Sequence, residues 1–533
     1  MVNLVDIFLG NQEPQNAKRA IADLKAQGGA APESLRAAHK RALKDLDGPD
    51  SILAAYLADG GDEVRIGLGN ESRHTYTGGI TGGGKTRSLL NTLQRRFRTA
   101  ITGAGIDAEI LDPKGETYIE MKLCIAAEWL AADEETRPSI PALVYVIDWT
   151  DRKITPVDPL DTSDDAISPA YAAELHTRIT IQTSDQTYTE SLRQLLFMWD
   201  LLLIDLGYPD LYPFTQKLFK NATYRSSVLQ RVKNADVRLY FSSMEHTVAR
   251  STVDAFLRRK WGLYLFPEYR YATCVPPRDL VRLGLPKNPR WTLANFGTTN
   301  AQPASLGHAR FRWHAVRRLL SVMRRDPRRP LWFVLEELLL LLEGSPEIEE
   351  ILGTSLRVTR SAGVSLKLIS QKLIPDLPRR VVENILLNTH IWSIFGTRPD
   401  EAELLYPNVL RDPADHRSEG ERKRAFLAEM QSLPRQHFYL FAKGHPAMRC
   451  RTPNIVHPTV TTGRSQEELL EIFDREIASS SMITFDHAAR LIGEWEREVV
   501  GQDQIVERVA RPQESAAPNN LDQLRKILGG GKP

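Results

Sequence analysis

Apolar residues recur at helical spacing in QNAKRAIADLKAQGG (15–29) and PESLRAAHKRALKDLD (32–47), with a GG break between them. Residues 15–58 are therefore expected to be helical. From about residue 62 the pattern changes. EVRIGLG (63–69) alternates like a strand, and a glycine-rich loop follows it. AEILD (108–112) and ALVYVID (142–148) are short apolar runs of the kind that fill buried parallel strands. SLRQLLFMWDLLLIDLG (191–207) reads as a helix stopping at Gly207, with Pro209 just beyond. Helices are also expected over SSVLQRVKNADVRLYF (226–241) and HTVARSTVDAFLRRKW (246–261). Strand patterns return in RWTLANFG (290–297), LWFVLEE (331–337), VSLKLIS (364–370), THIWSIFG (389–396) and HFYLFAKG (437–444). QEELLEIFDREIA, after about 462, is expected to be the final helix of the body. RPQESAAPNN (511–520) is linker-like and leads to LDQLRKILGGGKP, a docking helix or a frayed end.

The pattern predicts an α/β fold built from two sequence halves around an all-α insertion. The expected divisions are a helical segment (1–58), a first α/β half (59–165), the insertion (166–285), a second α/β half (286–462) and a C-terminal helix, linker and tail (463–533).

Composition adds exclusions. With 533 residues, 42% hydrophobic and 26% charged, the chain has ample material for a large core. Lys+Arg of 69 against Asp+Glu of 67 leaves a net charge of +2, so any nucleic-acid contact must come from local patches. Cys124, Cys274 and Cys450 are scattered, which excludes a disulfide scaffold and a zinc ribbon and fits a reducing compartment. MVNLVDIFLG lacks the basic start of a signal peptide, and the longest apolar runs (195–207 and 334–344) are short and interrupted by acids. The expectation is a cytoplasmic protein. The 12 histidines show no HExxH spacing, and no GxSxG occurs.

The clearest chemistry is Gly79-Ile80-Thr81-Gly82-Gly83-Gly84-Lys85-Thr86, which matches G-x-x-x-x-G-K-[ST]. Glycines let backbone N–H groups turn inward around phosphate oxygens, and a following helix presents its positive N-terminus. By ordinary composition a chain of this length should match the pattern only roughly 0.02 times by chance. RSLLNTLQRRFRTAI (87–101) supplies the helix, with Arg87 in its first turn. Gly79, Thr81, Gly82, Gly83, Gly84, Lys85, Thr86 and Arg87 are thus the candidate nucleotide contacts. Lys85 would reach the β- and γ-phosphates and Thr86 would hold Mg²⁺, so ATP and Mg²⁺ are the expected cofactors.

Such a loop needs an acid at the end of a neighbouring buried strand. LWFVLEE ends in Glu336 and Glu337. Glu336 is assigned to the Mg²⁺ side and Glu337 to general base, the aromatic and β-branched residues 332–334 favouring a strand that runs into a helix. Gln371, after VSLKLIS, could touch the γ-phosphate or the attacking water, and Arg360, in VTRSAGVS, could act across a subunit boundary.

Five segments in this order resemble the coupling-protein ATPases of type IV secretion and conjugation, within the FtsK/HerA-like motor superfamily: GITGGGKT (79–86), LDPKGE (111–116), ITPVDPLD (154–161), LWFVLEE (331–337), and TRSAGVSLKLISQ (359–371) leading to NTHIWSIFG (388–396). The resemblance covers roughly 60–465. It implies a RecA-like P-loop domain, assembly as a hexamer, DNA or a relaxase–DNA or protein substrate, and secretion-channel or relaxosome partners. By motif position it makes Lys85 and Thr86 the P-loop pair, Glu337 the catalytic acid, Gln371 the sensor and Arg360 the trans-acting arginine. It also matches Asp112 and Glu116 to the DPKGE acids, whose role is open between nucleotide contact and ordering the neighbouring strand. Two features depart from the pattern. Glu336 stands where the family usually has Asp, and the extra methylene moves a carboxylate by about 1.5 Å. No transmembrane helix is evident where many relatives begin with them, which suggests peripheral attachment at the cytoplasmic face of the inner membrane. Alternatives are a soluble HerA-like helicase or translocase in repair or phage defence, and a nucleotide-gated recruitment scaffold with little hydrolysis.

Two basic clusters interleave with aromatics. Arg310, Arg312, Arg317, Arg318, Arg324, Arg325, Arg328 and Arg329 crowd one stretch with Trp313 and His314, and LRRKWGLYLFPEYRY (257–271) forms the other. Either could contact DNA phosphates and bases, or be a helix face held by ion pairs.

Overall fold

Short, fully buried strands carry the architecture. The computed structural model describes residues 35–58, 61–103, 105–148, 153–162, 168–182, 189–283, 290–297, 304–322, 329–342, 346–371, 377–409 and 416–501. Its strands in chain order are β1 (Ile52–Leu57), β2 (Glu63–Ile66), β3 (Thr75–Gly79), β4 (Asp107–Asp112), β5 (Val144–Asp148), β6 (Lys153–Ile154), β7 (Trp291–Asn295), β8 (Leu331–Leu335), β9 (Val364–Ile369), β10 (Ile391–Phe395), β11 (His437–Ala442), β12 (Met448–Arg451) and β13 (Ile483–Thr484). Two compact units divide the chain: Met1–Asp107, Arg325–Leu342 and Pro346–Gly463 form the first, and Ala108–Arg324, Glu343–Ser345 and Arg464–Pro533 the second.

In the first unit eight strands lie in the order β2-β1-β12-β11-β10-β3-β9-β8. The pairs β10·β3, β3·β9 and β9·β8 are parallel, and those from β10 outward to β2 are antiparallel. Every residue of β8 and β9 is buried, as strands covered on both faces require. Helix Leu35–Leu46 closes the antiparallel part: its Ala42 and Leu46 join Ala55, Val64, Phe395, Phe438, Met448 and Cys450 in one core. Helix Lys85–Ile101 is pinned by polar side chains. Arg96, fully buried, donates from Nε to Glu71 at 2.5 Å and from Nη1 to the Asp50 carbonyl at 2.7 Å, and Asn91 donates to the Leu53 carbonyl at 3.1 Å. Such a buried pair fixes geometry more than it adds stability.

In the second unit β4, β7 and β5 run parallel in the order β4-β7-β5, and β6 pairs with β13. From Pro169 to Arg282 all described elements are helices. Trp199, on helix Glu190–Leu206, is fully buried among Phe214, Phe219, Phe241 and Phe256, with ring centroids 5.6–6.4 Å away. That helix starts where the Thr189 side chain accepts from the Leu192 N–H and stops at left-handed Gly207, the stop expected from sequence. The fold class is α/β, with parallel pairs at the strands β10, β3, β9 and β8 and at β4, β7 and β5.

Several local expectations are corrected. Residues 52–57 are β1, not helix: ILAAYL is a continuous apolar run whose period does not discriminate, and its pairing with β2 and β12 decides. The strand entering the glycine loop is β3, not 63–69, because Leu68–Glu71 forms a helical turn between them. The expected helix 226–241 is two helices, Ala222–Leu229 and Ala235–Thr247. Asn234 caps the second through the Asp236 and Val237 N–H groups, and Asp205 accepts from Lys233 and Asn234, so local side-chain acceptors outcompete helix continuation. Gln466–Ile472 is not the final helix; the amphipathic Phe485–Val500 follows it. The expected helix at 15–29 and the tail 521–528 lie outside the described residues.

A histidine at the sheet is expected to make the first unit acid-sensitive. His74 precedes β3, is buried, and accepts the Leu366 N–H through Nδ1 at 3.0 Å. Burial, reinforced by Lys367, lowers its pKa from 6.5 to about 4. A group depressed below its unfolded value binds fewer protons in the fold, so its stabilisation is present above pH 6.5 and lost as pH falls towards 4. The loss is up to about 3 kcal/mol. The melting temperature is expected to drop between pH 7 and pH 5, and to drop less in His74→Asn, whose amide oxygen can still accept from Leu366; equal drops by calorimetry would refute this source.

Candidate nucleotide-binding site

The glycine loop leaves β3 at the point where β3 meets β10. Gly79 has φ +132°, and a β-carbon there would stand 1.8 Å from the Phe395 carbonyl oxygen. No side chain fits, so glycine is imposed by the neighbouring backbone. The same carbonyl and that of Gly396 accept the Ile80 N–H at 3.2 and 3.0 Å, which fixes the loop's first step. At the other end Gly84 has φ +117° and abuts Gln436, whose N–H donates to the Gly83 carbonyl at 2.7 Å. Gln436 itself has φ +68°. The loop is thus clasped by the ends of β10 and β11.

Helix Lys85–Ile101 begins at once, and no side chain caps it at Gly84. First-turn amides of a helix, here including those of Thr86 and Arg87, point towards its N-terminal end, where the loop lies, which is the arrangement that receives a phosphate. Lys85 curls back: its ammonium donates to the carbonyls of Gly79 at 2.6 Å and Ile80 at 3.0 Å. These are exchangeable partners, which a phosphate oxygen could replace. Thr86 and Arg87 are half-buried, and Thr81 and Gly82 are exposed. Uncapped amides, an ammonium within the loop and a hydroxyl one residue on fit a nucleotide phosphate with Mg²⁺.

The sheet brings acids to the same edge. β3, β9 and β8 are adjacent and parallel, so the residues after each strand emerge on one side. Glu336 and Glu337 follow β8, and Gln371 follows β9 with only Ser370 between. Glu336 is buried. Glu337 has φ +53°, a left-handed conformation costing roughly 1–2 kcal/mol for a residue with a β-carbon. Thr81 Oγ1 donates to Gln371 Oε1 at 3.0 Å, and Gln371 Nε2 donates to Glu337 Oε1 at 3.3 Å. Loop, strand end and acid therefore form one polar chain.

Arg360 is not part of it. It lies exposed in the turn Thr359–Ala362, ahead of β9, whereas Gln371 lies beyond that strand's other end. β9 spans six residues, about 20 Å of extended chain, so Arg360 belongs to the opposite edge of its own sheet. Gln436 was not anticipated from sequence. Nothing in PRQHF marks it; its role comes from backbone conformation at a strand start.

The other motif acids lie in the second unit, where Asp112 holds backbone amides. Asp112, fully buried, accepts from the Lys114 and Gly115 N–H groups at 2.8 and 2.9 Å and from the Tyr118 N–H at 3.0 Å. It anchors the start of helix Glu116–Ala131, while Glu116 is exposed in the first turn. In the VDPLD turn, Arg317 donates to the carbonyls of Asp158 at 2.8 Å and Asp161 at 2.9 Å and to the Asp161 carboxylate at 2.9 Å.

The arginines of the first basic cluster differ in their settings. Arg310 and Arg312 are buried on helix Ala304–Val322, and Arg318 holds Glu109 through two nitrogens at 2.8–3.0 Å. Burial would raise the Glu109 carboxyl, but Arg318 and His314 outweigh it and bring it down to about 2. Arg317 and Arg318 thus bond to carbonyls and carboxylates of the same unit, the helix face held by ion pairs that the sequence left open, while Arg329 of the same cluster is exposed. Arg324, Arg325 and Arg328 lie outside the described residues. In the second cluster Lys260 is buried against Asp210, while Arg258 and Trp261 are exposed.

Neither a family model nor a curated protein matches the sequence. Among solved structures the chain is similar to the bacterial conjugative coupling protein TrwBΔN70, at 14% identity and a TM-score of 0.47 over 81% of this chain and 97% of that one. It is also similar to the plasmid coupling protein TrwB in complex with ADP and Mg²⁺, at 13% identity and a TM-score of 0.47 over 81% and 97%. VirB4 of Thermoanaerobacter pseudethanolicus matches at 15% identity and a TM-score of 0.48 over 78% and 99%. At such identities and scores, function must be read from the site's own residues.

Two glycine substitutions separate loop geometry from loop flexibility. Gly79→Ala must displace the Phe395 backbone and is expected to cost several kcal/mol and to abolish nucleotide binding. Gly82→Ala, with φ +79° and nothing within 4 Å of the new carbon, should cost only about 1 kcal/mol. Thermal melts and nucleotide titration of both variants check the ordering.

Proposed function

We propose that the chain binds ATP with Mg²⁺ at the loop 79–86 and hydrolyses it. The observation that carries this reading is the hydrogen-bonded run from Thr81 through Gln371 to Glu337, which sets an acid at the mouth of an uncapped helix start. In this reading Lys85 leaves the Gly79 and Ile80 carbonyls for the β- and γ-phosphates, and the first-turn amides hold phosphate oxygens. Thr86 and Glu336 would hold Mg²⁺, which when bound draws charge from the phosphate oxygens. Glu337 takes a proton from the attacking water, and Gln371 orients that water or the terminal phosphate. The left-handed backbone of Glu337 is the kind of strain that is tolerated where a side chain must be aimed.

Arg360, at the far edge of its own sheet, would serve the site of the next copy, so the working form is a ring, a hexamer in this reading. Five ordered motif segments support a coupling ATPase that recruits or moves DNA, or a relaxase–DNA or protein substrate, for a type IV secretion or conjugation machinery. No described helix is long and apolar enough to cross a membrane.

Hydrolysis is measured with and without single- or double-stranded DNA, with Lys85→Ala as the blank. The wild type is expected to exceed the blank and to be stimulated by DNA. Glu337→Gln should lower kcat by about 100-fold or more while retaining nucleotide affinity. Arg360→Ala and Lys85→Ala, each inactive alone, should regain activity when mixed, because one supplies the arginine and the other the intact loop. Wild-type hydrolysis no faster than the blank would end the enzymatic reading, and an inert mixture would end the shared site.

A further inference from the structure

We infer that Thr81 is a positioning residue: its hydroxyl holds the Gln371 side chain in the pose that presents the amide NH₂ to Glu337, tying the acid's orientation to the phosphate loop. This rests on the hydrolysis reading above and assigns Thr81 a role other than nucleotide contact.

The polarity of the chain is forced. An ionised carboxylate only accepts hydrogen bonds, so the group facing Glu337 Oε1 at 3.3 Å must be the amide NH₂. The amide carbonyl then faces Thr81, and the hydroxyl must donate to it at 3.0 Å. Reversing the amide would set two oxygens against each other at Glu337. Thr81 is the fixed end. The preceding residue, Ile80, is held through its N–H by the Phe395 and Gly396 carbonyls, and Gly79 is pressed against the Phe395 carbonyl. At the other end, Ser370 donates its N–H to the Thr77 carbonyl at 3.0 Å, which fixes the backbone beside Gln371 but not its side chain. A glutamine side chain has three rotatable bonds and loses considerable freedom when held in one pose. Without the Thr81 hydroxyl, the bond to Glu337 alone must hold it.

Thr81→Val removes the hydroxyl and keeps the shape, while Thr81→Ser keeps the hydroxyl. Thr81→Val is expected to lower kcat by about tenfold, with affinity for a fluorescent ADP analogue in Mg²⁺ within about threefold of wild type. Thr81→Ser should restore kcat to within about threefold. A crystal structure of nucleotide-free Thr81→Val should show the Gln371 amide turned away from Glu337. Wild-type kcat in Thr81→Val, a loss of affinity as large as the loss of kcat, no rescue by serine, or an amide still on Glu337 would each overturn the assignment. If the wild type itself hydrolyses ATP no faster than Lys85→Ala, the hydrolysis reading fails, and the position of the Gln371 amide in the nucleotide-free variant alone decides whether Thr81 positions it.

Discussion

The contact between Gly79 and the Phe395 carbonyl oxygen sets the geometry of the candidate site. At 1.8 Å from a would-be β-carbon, it admits no side chain and leaves β3 and β10 closely apposed where β3 ends. Because the obstacle is backbone and not a rotatable side chain, the loop's departure point cannot drift. Ile80, Thr81 and the start of the following helix inherit that position. Arg96 and Asn91 then hold the helix by donating to Glu71 and to the Asp50 and Leu53 carbonyls, so the loop is braced from both sides.

The second unit uses charge in a different way. Several of its arginines and acids direct their hydrogen bonds to one another or to backbone. Arg317 clasps a turn by two carbonyls, Arg318 neutralises a buried Glu109, and Asp112 collects three amides. Removing one member of such a set leaves the others desolvated, a larger penalty than the contact's net worth. Sequence motifs rich in charge can therefore be scaffolding.

The sequence was most legible where one residue type has one use. The loop pattern, the apolar strands β4, β5 and β7 to β11, and the Gly207 stop were readable because glycine, buried β-branched runs and caps have narrow meanings. β3 was missed because TYTGG carries little apolar content, and its partners supply the burial. β1 was taken for helix because an apolar run without alternation has no period. The candidate acids were legible as strand-end residues, but their connection through Gln371 and Thr81 was not, since it depends on strand order. Gln436 gave no signal, as its contribution is a backbone angle. For the arginines of helix Ala304–Val322 the sequence left two readings open, because a cluster's sign shows in sequence and the partners of Arg317 and Arg318 do not.

The chain from Thr81 to Glu337 also has a direction that governs protons. Each link passes a hydrogen from loop towards acid, and its middle member is an amide, which does not take up and hand on a proton near neutral pH. The chain can orient Glu337 but is a dead end for charge. In the proposed reaction, a proton captured by that carboxylate would therefore leave by a route other than through Gln371 and the phosphate loop.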